Sequence, residues 1–158
     1  MYNISPAITS DAGAILSLQK RAYESEARLY NDWSIPPLVQ TLDSLVEEIK
    51  AITVLKAVEG GGIVGSVRAK LDGTNCFIGR LIVEPAHQGH GIGTALLQAI
   101  EGSFPNATRF ELFTGSRSEG NIRLYQRHGY AVVRTEQLSE QVSLVFMHKR
   151  THALRRSG

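Results

Sequence analysis

The sequence contains only one cysteine, Cys76, among its 158 residues. A lone cysteine cannot form an internal disulfide, and the sequence shows neither a second cysteine nor the His and Asp cluster that a metal site requires. We therefore predict that the protein binds no metal and that Cys76 is a small buried hydrophobic residue.

Long apolar stretches are also absent. No run approaches the roughly 20 apolar residues of a membrane-spanning helix, and the N-terminal MYNISPAITSDAG lacks the basic and then apolar segments of a signal peptide. These absences predict a cytoplasmic protein with no membrane partner. Hydrophobic residues still make up 42% of the chain, which suffices for a sizeable core, so residues 1–158 are interpreted as one globular domain.

Positive charge is scarce outside the C-terminus. Four of the 17 basic residues lie in the last eleven, HKRTHALRRSG, which contain no acidic residue, so the rest of the chain carries 13 basic and 15 acidic residues. A folded nucleic-acid-binding domain would carry a basic face on its core. The pattern instead predicts no nucleic-acid partner and a basic, solvated and flexible tail from about residue 150.

What the sequence does contain is an alternation of helix and strand patterns separated by turn residues. Seven strands are predicted at YNISPAI, ITVLKAV, IVGSVRAKL, CFIGRLIVE, TRFELFT, YAVVRT and VSLVFMHK. Four helices are predicted, beginning after Thr9–Asp11, from Thr41, and over about 91–103 and 119–128. The segment LYNDWSIPPL, 29–38, is too rich in proline and turn residues to be helical.

Three glycines, Gly89, Gly91 and Gly93, alternate in the segment QGHGIG, between a predicted strand and a predicted helix. Backbone N–H groups at a helix start point toward the positive end of the helix dipole and bind anions. Residues without Cβ leave these N–H groups accessible to a diphosphate, and Gln88 and Thr94 could add hydrogen bonds. The alternative is that the glycines only turn the chain tightly.

Two familiar nucleotide-binding motifs do not fit this segment. A P-loop requires GxxxxGK[ST], yet no lysine occurs between Lys70 and Lys149. A dinucleotide fingerprint GxGxxG has Thr94 where its third glycine should be, and it belongs to an early βαβ unit, whereas hairpins come first here.

The segment instead resembles the GNAT superfamily of N-acetyltransferases, whose motif [R/Q]xxGx[G/A] stands here as Gln88 to Gly93. The preceding LIVEP and the later NIRLYQRHGY, 121–130, also match the family. The resemblance implies an α+β fold: a mostly antiparallel, twisted sheet of about seven strands, splayed between strands 4 and 5 and flanked by about four helices. It also implies that acetyl-CoA is the co-substrate, with its pyrophosphate on the glycine-rich loop.

The resemblance assigns roles to individual residues. Val83, or its neighbours Leu81 and Ile82, would supply a backbone N–H for the oxyanion formed when an amine attacks the thioester. Tyr125 would protonate the leaving thiolate, the alternative being that it packs with Ile122 in the core. The residues implied to bind the cofactor are Leu81, Ile82, Val83, Gln88, Gly89, His90, Gly91, Ile92, Gly93, Thr94, Asn121 and Tyr125. Arg123 and Arg127 are either phosphate contacts or a solvated helix face.

The general base is left open. An alkyl amine with a pKa of about 10.4 must lose a proton before it attacks. One branch of the family uses a glutamate in the fourth strand, but Phe77 occupies that place here. Glu84 and Glu111 are the nearby candidates, with Glu84 named first, although the favoured interpretation of each is an ordinary solvated or salt-bridged carboxylate.

The acceptor is expected near the loop that joins the first two helices. Tyr30 and Trp33 could form the wall of a pocket, and Asp32 could hold an ammonium group; the loop could also be a dimer contact or a packed lid. We expect N-acetylation of a small-molecule primary amine. The alternatives are a protein or peptide N-acetyltransferase and a non-catalytic CoA-binding module, and the family resemblance also allows a homodimer.

Overall fold

The computed structural model describes residues 2–151. Most of the predicted basic tail, residues 152–158, lies outside the described residues. The strands are β1 (Asn3–Pro6), β2 (Thr53–Glu59), β3 (Gly62–Asp72), β4 (Asn75–Val83), β5 (Arg109–Gly115), β6 (Ala131–Gln137) and β7 (Ser143–Arg150). The helices are α1 (Ala12–Tyr30), α2 (Pro36–Val39), α3 (Leu42–Ala51), α4 (Ile92–Gly102) and α5 (Glu119–Arg127).

The seven strands form one sheet in the order β1-β2-β3-β4-β5-β7-β6. All neighbours are antiparallel except β4 and β5, which run parallel and pair only over 75–77 of β4 with 109–111 of β5. Beyond Phe77 the two strands diverge, so the β5-facing edge of residues 78–83 has no strand partner in the described part of the chain. The α+β class and the predicted splay between strands 4 and 5 are therefore confirmed.

The main core lies between the sheet and α4. Leu96, Leu97 and Ile100 of α4 are fully buried, as helical spacing of apolar residues predicts. A Cβ at Gly65 of β3 would lie 2.8 Å from Leu96, so the glycine allows the close approach of helix and sheet. Cys76 is fully buried in the same core, which confirms the prediction for it.

Two details differ from the expectation. The segment 29–38 is not wholly irregular: α1 continues through Tyr30, and Pro36–Val39 form a short helix. Proline is compatible with this position because its missing N–H would lack a partner in a first helical turn anyway. Leu42 begins the i, i+3, i+4, i+7 apolar pattern that predicts α3 and continues with Leu45, Val46 and Ile49, yet it is 48% exposed because it lies in the first turn. No helix within residues 2–151 is long and apolar enough to cross a membrane.

Candidate active site

The glycine-rich segment has the backbone conformation that its sequence suggests. Gly89 has a φ of 84° and Gly91 a φ of 82°, values in the left-handed region that favours glycine. Gly91 is the N-cap of α4 and provides no side chain to cap it. The first hydrogen bond of the helix runs from Ala95 N–H to the Gly91 carbonyl oxygen, at 3.0 Å. The N–H groups of 92–94 therefore remain available to an anion.

A first cavity of about 590 Å³ lies beside this loop. Its lining comes from the loop, the end of β4, the start of α5 and one face of α1; the residues are Ala22, Tyr23, Ser25, Glu26, Leu81, Ile82, Val83, His87, Gln88, Gly89, Gly91, Ile92, Gly93, Thr94, Ser118, Gly120, Asn121, Leu124 and Arg127. The unpaired edge of β4 thus faces the same space as the free N–H groups of α4. A long ligand with a phosphate end and an amide-bearing arm fits this arrangement.

Most residues predicted to bind the cofactor line this cavity, with two exceptions. His90 is exposed and lies outside the lining of both cavities, and Tyr125 lines a second cavity instead. Thr94 lies 3.3 Å from His128 through Oγ1 and Nε2. Arg127 lines the first cavity, whereas Arg123 forms an ion pair with Glu119 at 3.9 Å.

The second cavity, of about 480 Å³, lies on the other side of the splay. Its walls are largely apolar and come from the α1–α3 segment, β4, β5 and the β6–β7 connection; they include Tyr30, Ile35, Pro36, Pro37, Phe77, Ile78, Phe113, Leu138, Val142 and Leu144. Four residues line both cavities: Tyr23, Glu26, Leu81 and Asn121. The two cavities therefore meet at these side chains.

Tyr125 faces the second cavity from α5. It is 6% exposed, and its ring packs against Tyr130 with a centroid separation of 5.9 Å. Burial raises the pKa of the Tyr125 phenol, and the nearby Tyr23 and Glu26 raise it further. The phenol therefore carries its proton at neutral pH. One turn earlier, Asn121 donates a hydrogen bond from Nδ2 to Thr114 Oγ1 at 3.3 Å, which orients its side chain.

Both carboxylates predicted as base candidates are engaged elsewhere. Glu84 lies outside the lining of both cavities and accepts hydrogen bonds from Arg21 Nε and Nη2, the shortest at 2.8 Å. Glu111 pairs with Arg109 at 2.8 Å, where β4 and β5 are still joined. Both glutamates therefore form the ion pairs that were stated as the alternative to a base role. Neither carboxylate lines the region where the two cavities meet.

The three residues predicted to contact the acceptor lie in different places. Tyr30 is buried and lines the second cavity, and its hydroxyl accepts a hydrogen bond from the Arg117 N–H at 2.7 Å. Asp32 accepts hydrogen bonds from the N–H and hydroxyl of Ser34, which forms a local turn. Trp33 is 53% exposed. Neither Asp32 nor Trp33 lines the second cavity.

Tyr23 and Glu26 lie where the two cavities meet, and neither was predicted from the sequence as a site residue. Glu26 accepts a hydrogen bond from Ser118 Oγ at 2.5 Å, across 92 residues of chain. Burial raises the pKa of the Tyr23 phenol. One signal was available: Tyr23, Glu26 and Tyr30 are spaced three and four apart, which places them on one face of a helix.

Comparison with known proteins agrees with this geometry. The family model described as Acetyltransferase (GNAT) family matches residues 14–130, most of the chain. The protein belongs to the GNAT family and is an acetyl-CoA-dependent N-acetyltransferase. No curated protein sequence matches it closely enough to count as a relative.

Solved structures share the fold at low sequence identity. The PaiA N-acetyltransferase from Thermoplasma acidophilum, solved with coenzyme A, has a TM-score of 0.81 at 16% identity over 96% of this chain and 99% of that one. The ribosomal-protein-S18-alanine N-acetyltransferase from Escherichia coli has a TM-score of 0.78 at 15% identity over 95% and 94%. The IAA acetyltransferase from Bacillus cereus has 0.71 at 16% identity over 96% and 100%. Proteins of this fold are thus named for different acceptors.

Proposed function

We propose that this N-acetyltransferase acetylates a primary amine of a small molecule. The observation that carries the proposal is the second cavity, which has a volume of about 480 Å³ and shares the lining residues Tyr23, Glu26, Leu81 and Asn121 with the first. Its lining includes Pro36 and Pro37 of α2 and Leu138 and Val142 of the β6–β7 connection. A pocket walled by these segments suits a compact amine better than an extended polypeptide.

The first cavity has the features that acetyl-CoA needs. Free N–H groups at the start of α4 would bind the pyrophosphate, and Arg127 would add a positive charge. The unpaired edge of β4 from Leu81 to Val83 would hydrogen-bond the amide-bearing arm, together with Asn121. When bound, acetyl-CoA supplies a thioester whose acetyl group is transferred. We expect no metal to take part; within residues 2–151 no group of three or more His, Cys, Asp and Glu side chains could hold one.

Three groups would then act on the reacting atoms. The N–H of Val83, or of Leu81 or Ile82, would stabilise the negative charge that develops on the acetyl oxygen. The Tyr125 phenol, kept protonated by burial, would donate a proton to the leaving sulfur. The Glu26 carboxylate would take a proton from the incoming ammonium, directly or through water, since it faces the joint of the two cavities.

The testing experiment measures release of the CoA thiol with a panel of polyamines, aminoglycosides, amino acids, aromatic amines and short peptides. Tyr125→Phe should lower kcat by about 10²-fold for any acceptor found, while the Kd for acetyl-CoA stays nearly unchanged, because the phenol acts on the leaving group. The matched control is Tyr130→Phe. Tyr130 lies outside the lining of both cavities, and its hydroxyl donates to Glu101 at 2.7 Å.

The outcomes separate the candidate functions. A loss of rate in both variants would indicate general destabilisation and remove Tyr125 from the mechanism. Acetylation of peptides alone would replace the small-molecule acceptor with a protein one. Binding of acetyl-CoA without turnover of any acceptor would favour a non-catalytic CoA-binding module.

A further inference from the structure

Arg80 occupies an unusual place in β4. Its φ is 51°, in the left-handed region that glycine favours. The register between β3 and β4 shifts there, because Ser66 pairs with Ile82 but Arg68 pairs with Gly79. This bulge gives the strand one extra residue and changes the direction of a side chain. The Arg80 side chain lines the second cavity.

The Arg80 guanidinium has no partner in the described part of the chain. Within residues 2–151 it forms no hydrogen bond or ion pair, and its Nη1 is buried. Burial lowers the pKa of Arg80 and the Arg68 cation lowers it further, whereas the Tyr23 phenol and the Glu48 carboxylate raise it without reversing the shift. A partly buried cation that forms no ion pair costs free energy that an anion on a ligand can recover.

Glu48, the acidic side chain that interacts electrostatically with Arg80, is already paired with another cation. Glu48 accepts a hydrogen bond from Arg68 Nη1 at 2.8 Å and a second from Gln40. Arg68 is satisfied further by Gln19, whose Oε1 accepts from Nη2 at 2.6 Å. Both Nη atoms of Arg68 are therefore paired in the wall of the cavity, although its Nε has no partner within residues 2–151, whereas Arg80 forms no ion pair there.

The second cavity therefore presents charged groups of both signs. The charged residues that line it are Glu26, Glu48, Arg68, Lys70 and Arg80. Because Arg68 and Glu48 pair with each other, the remaining acidic residue in the lining is Glu26, which also lines the first cavity. The remaining cations are Arg80 and the exposed Lys70. Apolar side chains such as Phe113 and Leu144 complete the walls.

We infer that the acceptor is an amino acid or related amino carboxylate with an apolar body, its carboxylate paired with Arg80 and its amine directed toward Glu26. This inference rests on the proposed acetylation of a small-molecule amine. A planar guanidinium binds a carboxylate through two parallel hydrogen bonds, and the partly buried site strengthens the pair.

The test uses acceptors that differ only in the carboxylate: phenylalanine against phenethylamine, and 6-aminohexanoate against hexylamine. For at least one pair, the wild-type protein should prefer the acid by roughly 10²-fold in kcat/KM, since each 1.4 kcal/mol of a buried charge pair gives a factor of about ten. Arg80→Gln should bring that ratio to about one while kcat/KM for the plain amine changes less than about threefold.

Two further variants keep this test decisive. Arg80→Asn removes the cation with a residue that tolerates positive φ, in case Arg80→Gln does not fold. Lys20→Gln removes a cation from the exposed side of α1, outside the lining of both cavities, and should keep the wild-type ratio.

The results distinguish this inference from the proposed function. Equal use of acid and plain amine by the wild-type protein, or a preference that survives in Arg80→Gln and Arg80→Asn, would overturn the role of Arg80 and leave the small-molecule function standing. If no small amine is acetylated while short peptides are, the proposed function fails and this inference fails with it.

Discussion

At the scale of single residues, the hydrogen-bond and ion-pair partners of a side chain decide which role it can take in the reaction. Glu84 and Glu26 are both glutamates near the predicted site, but Glu84 is held by Arg21 at 2.8 Å, whereas Glu26 is bonded to the neutral hydroxyl of Ser118. A carboxylate that faces a cation is a poor proton acceptor, because protonation would break the ion pair. We therefore propose Glu26, rather than Glu84, as the general base.

This assignment predicts different outcomes for two matched substitutions. Glu26→Gln should lower kcat/KM by about 10²-fold at neutral pH, and the rate should recover as the pH approaches the amine pKa of about 10, where the acceptor loses its proton unaided. Glu84→Gln should leave this pH profile unchanged, since it only breaks a half-exposed ion pair. Kinetics between pH 6 and 10 check both. Equal losses in the two variants, constant with pH, would refute a base role for Glu26.

At the scale of elements, the start of α4 combines two requirements in one short segment. Gly91 must adopt a φ of 82°, and it must leave the first N–H groups of the helix accessible. Gly93 differs, because its φ is ordinary and a Cβ there would make only normal contacts, at 3.7 Å, with Leu124 and Val83. Gly89 and Gly91 are therefore the two glycines that the backbone itself demands.

We predict that Gly91→Val abolishes detectable acetyl-CoA binding and lowers the free energy of unfolding by about 1–2 kcal/mol, the cost of a side chain in a left-handed conformation. The control lies at the other end of the same helix: Gly102→Ala, where a Cβ meets nothing within 4 Å, should keep wild-type affinity. Calorimetric titration with acetyl-CoA and denaturant unfolding measure the two effects. Wild-type affinity in Gly91→Val would show that the loop does not bind the pyrophosphate.

The whole molecule contains several weak acids that are buried in their neutral form. Burial raises the pKa of Cys76 from 9.0 to about 12, and burial also raises the pKa of Tyr125 and Tyr130. A folded-state pKa above the unfolded value contributes stability that is fully present below the unfolded value and is lost as the pH rises toward the folded one. Stability should therefore decline above about pH 9, where unfolded thiols begin to ionise.

This gives a prediction for thermal unfolding. The Tm of the wild-type protein should fall between pH 9 and 11, with each such group contributing at most about 1.4 kcal/mol per pH unit. Cys76→Ala should be less stable at pH 7, because it leaves a small cavity, but its Tm should fall less over this range. Parallel Tm curves for the two proteins would show that Cys76 does not titrate on unfolding.

Much of the fold was predictable because it depends on neighbours in sequence. Apolar spacing located α3 and α4, Thr41 accepts the Ser44 N–H as an N-cap should, and Gly129 ends α5 with a φ of 93°. The family resemblance supplied the splay between β4 and β5. The predicted roles of Val83 and Tyr125 stay predictions until the variants are measured.

By itself, the sequence determined the order of the seven strands and the four longer helices, the left-handed turns at Gly89 and Gly91 and the helical position of Tyr125, since these follow from local backbone sterics and side-chain spacing. Only the tertiary structure decided which charges meet. Arg21 and Glu84 are 63 residues apart, Ser118 and Glu26 are 92 apart, and the Arg80 bulge depends on the pairing of β4 with β3. Contacts between distant segments depend on how whole elements pack, so local patterns could not show that Glu84 would be paired or that Arg80 would form no ion pair within residues 2–151.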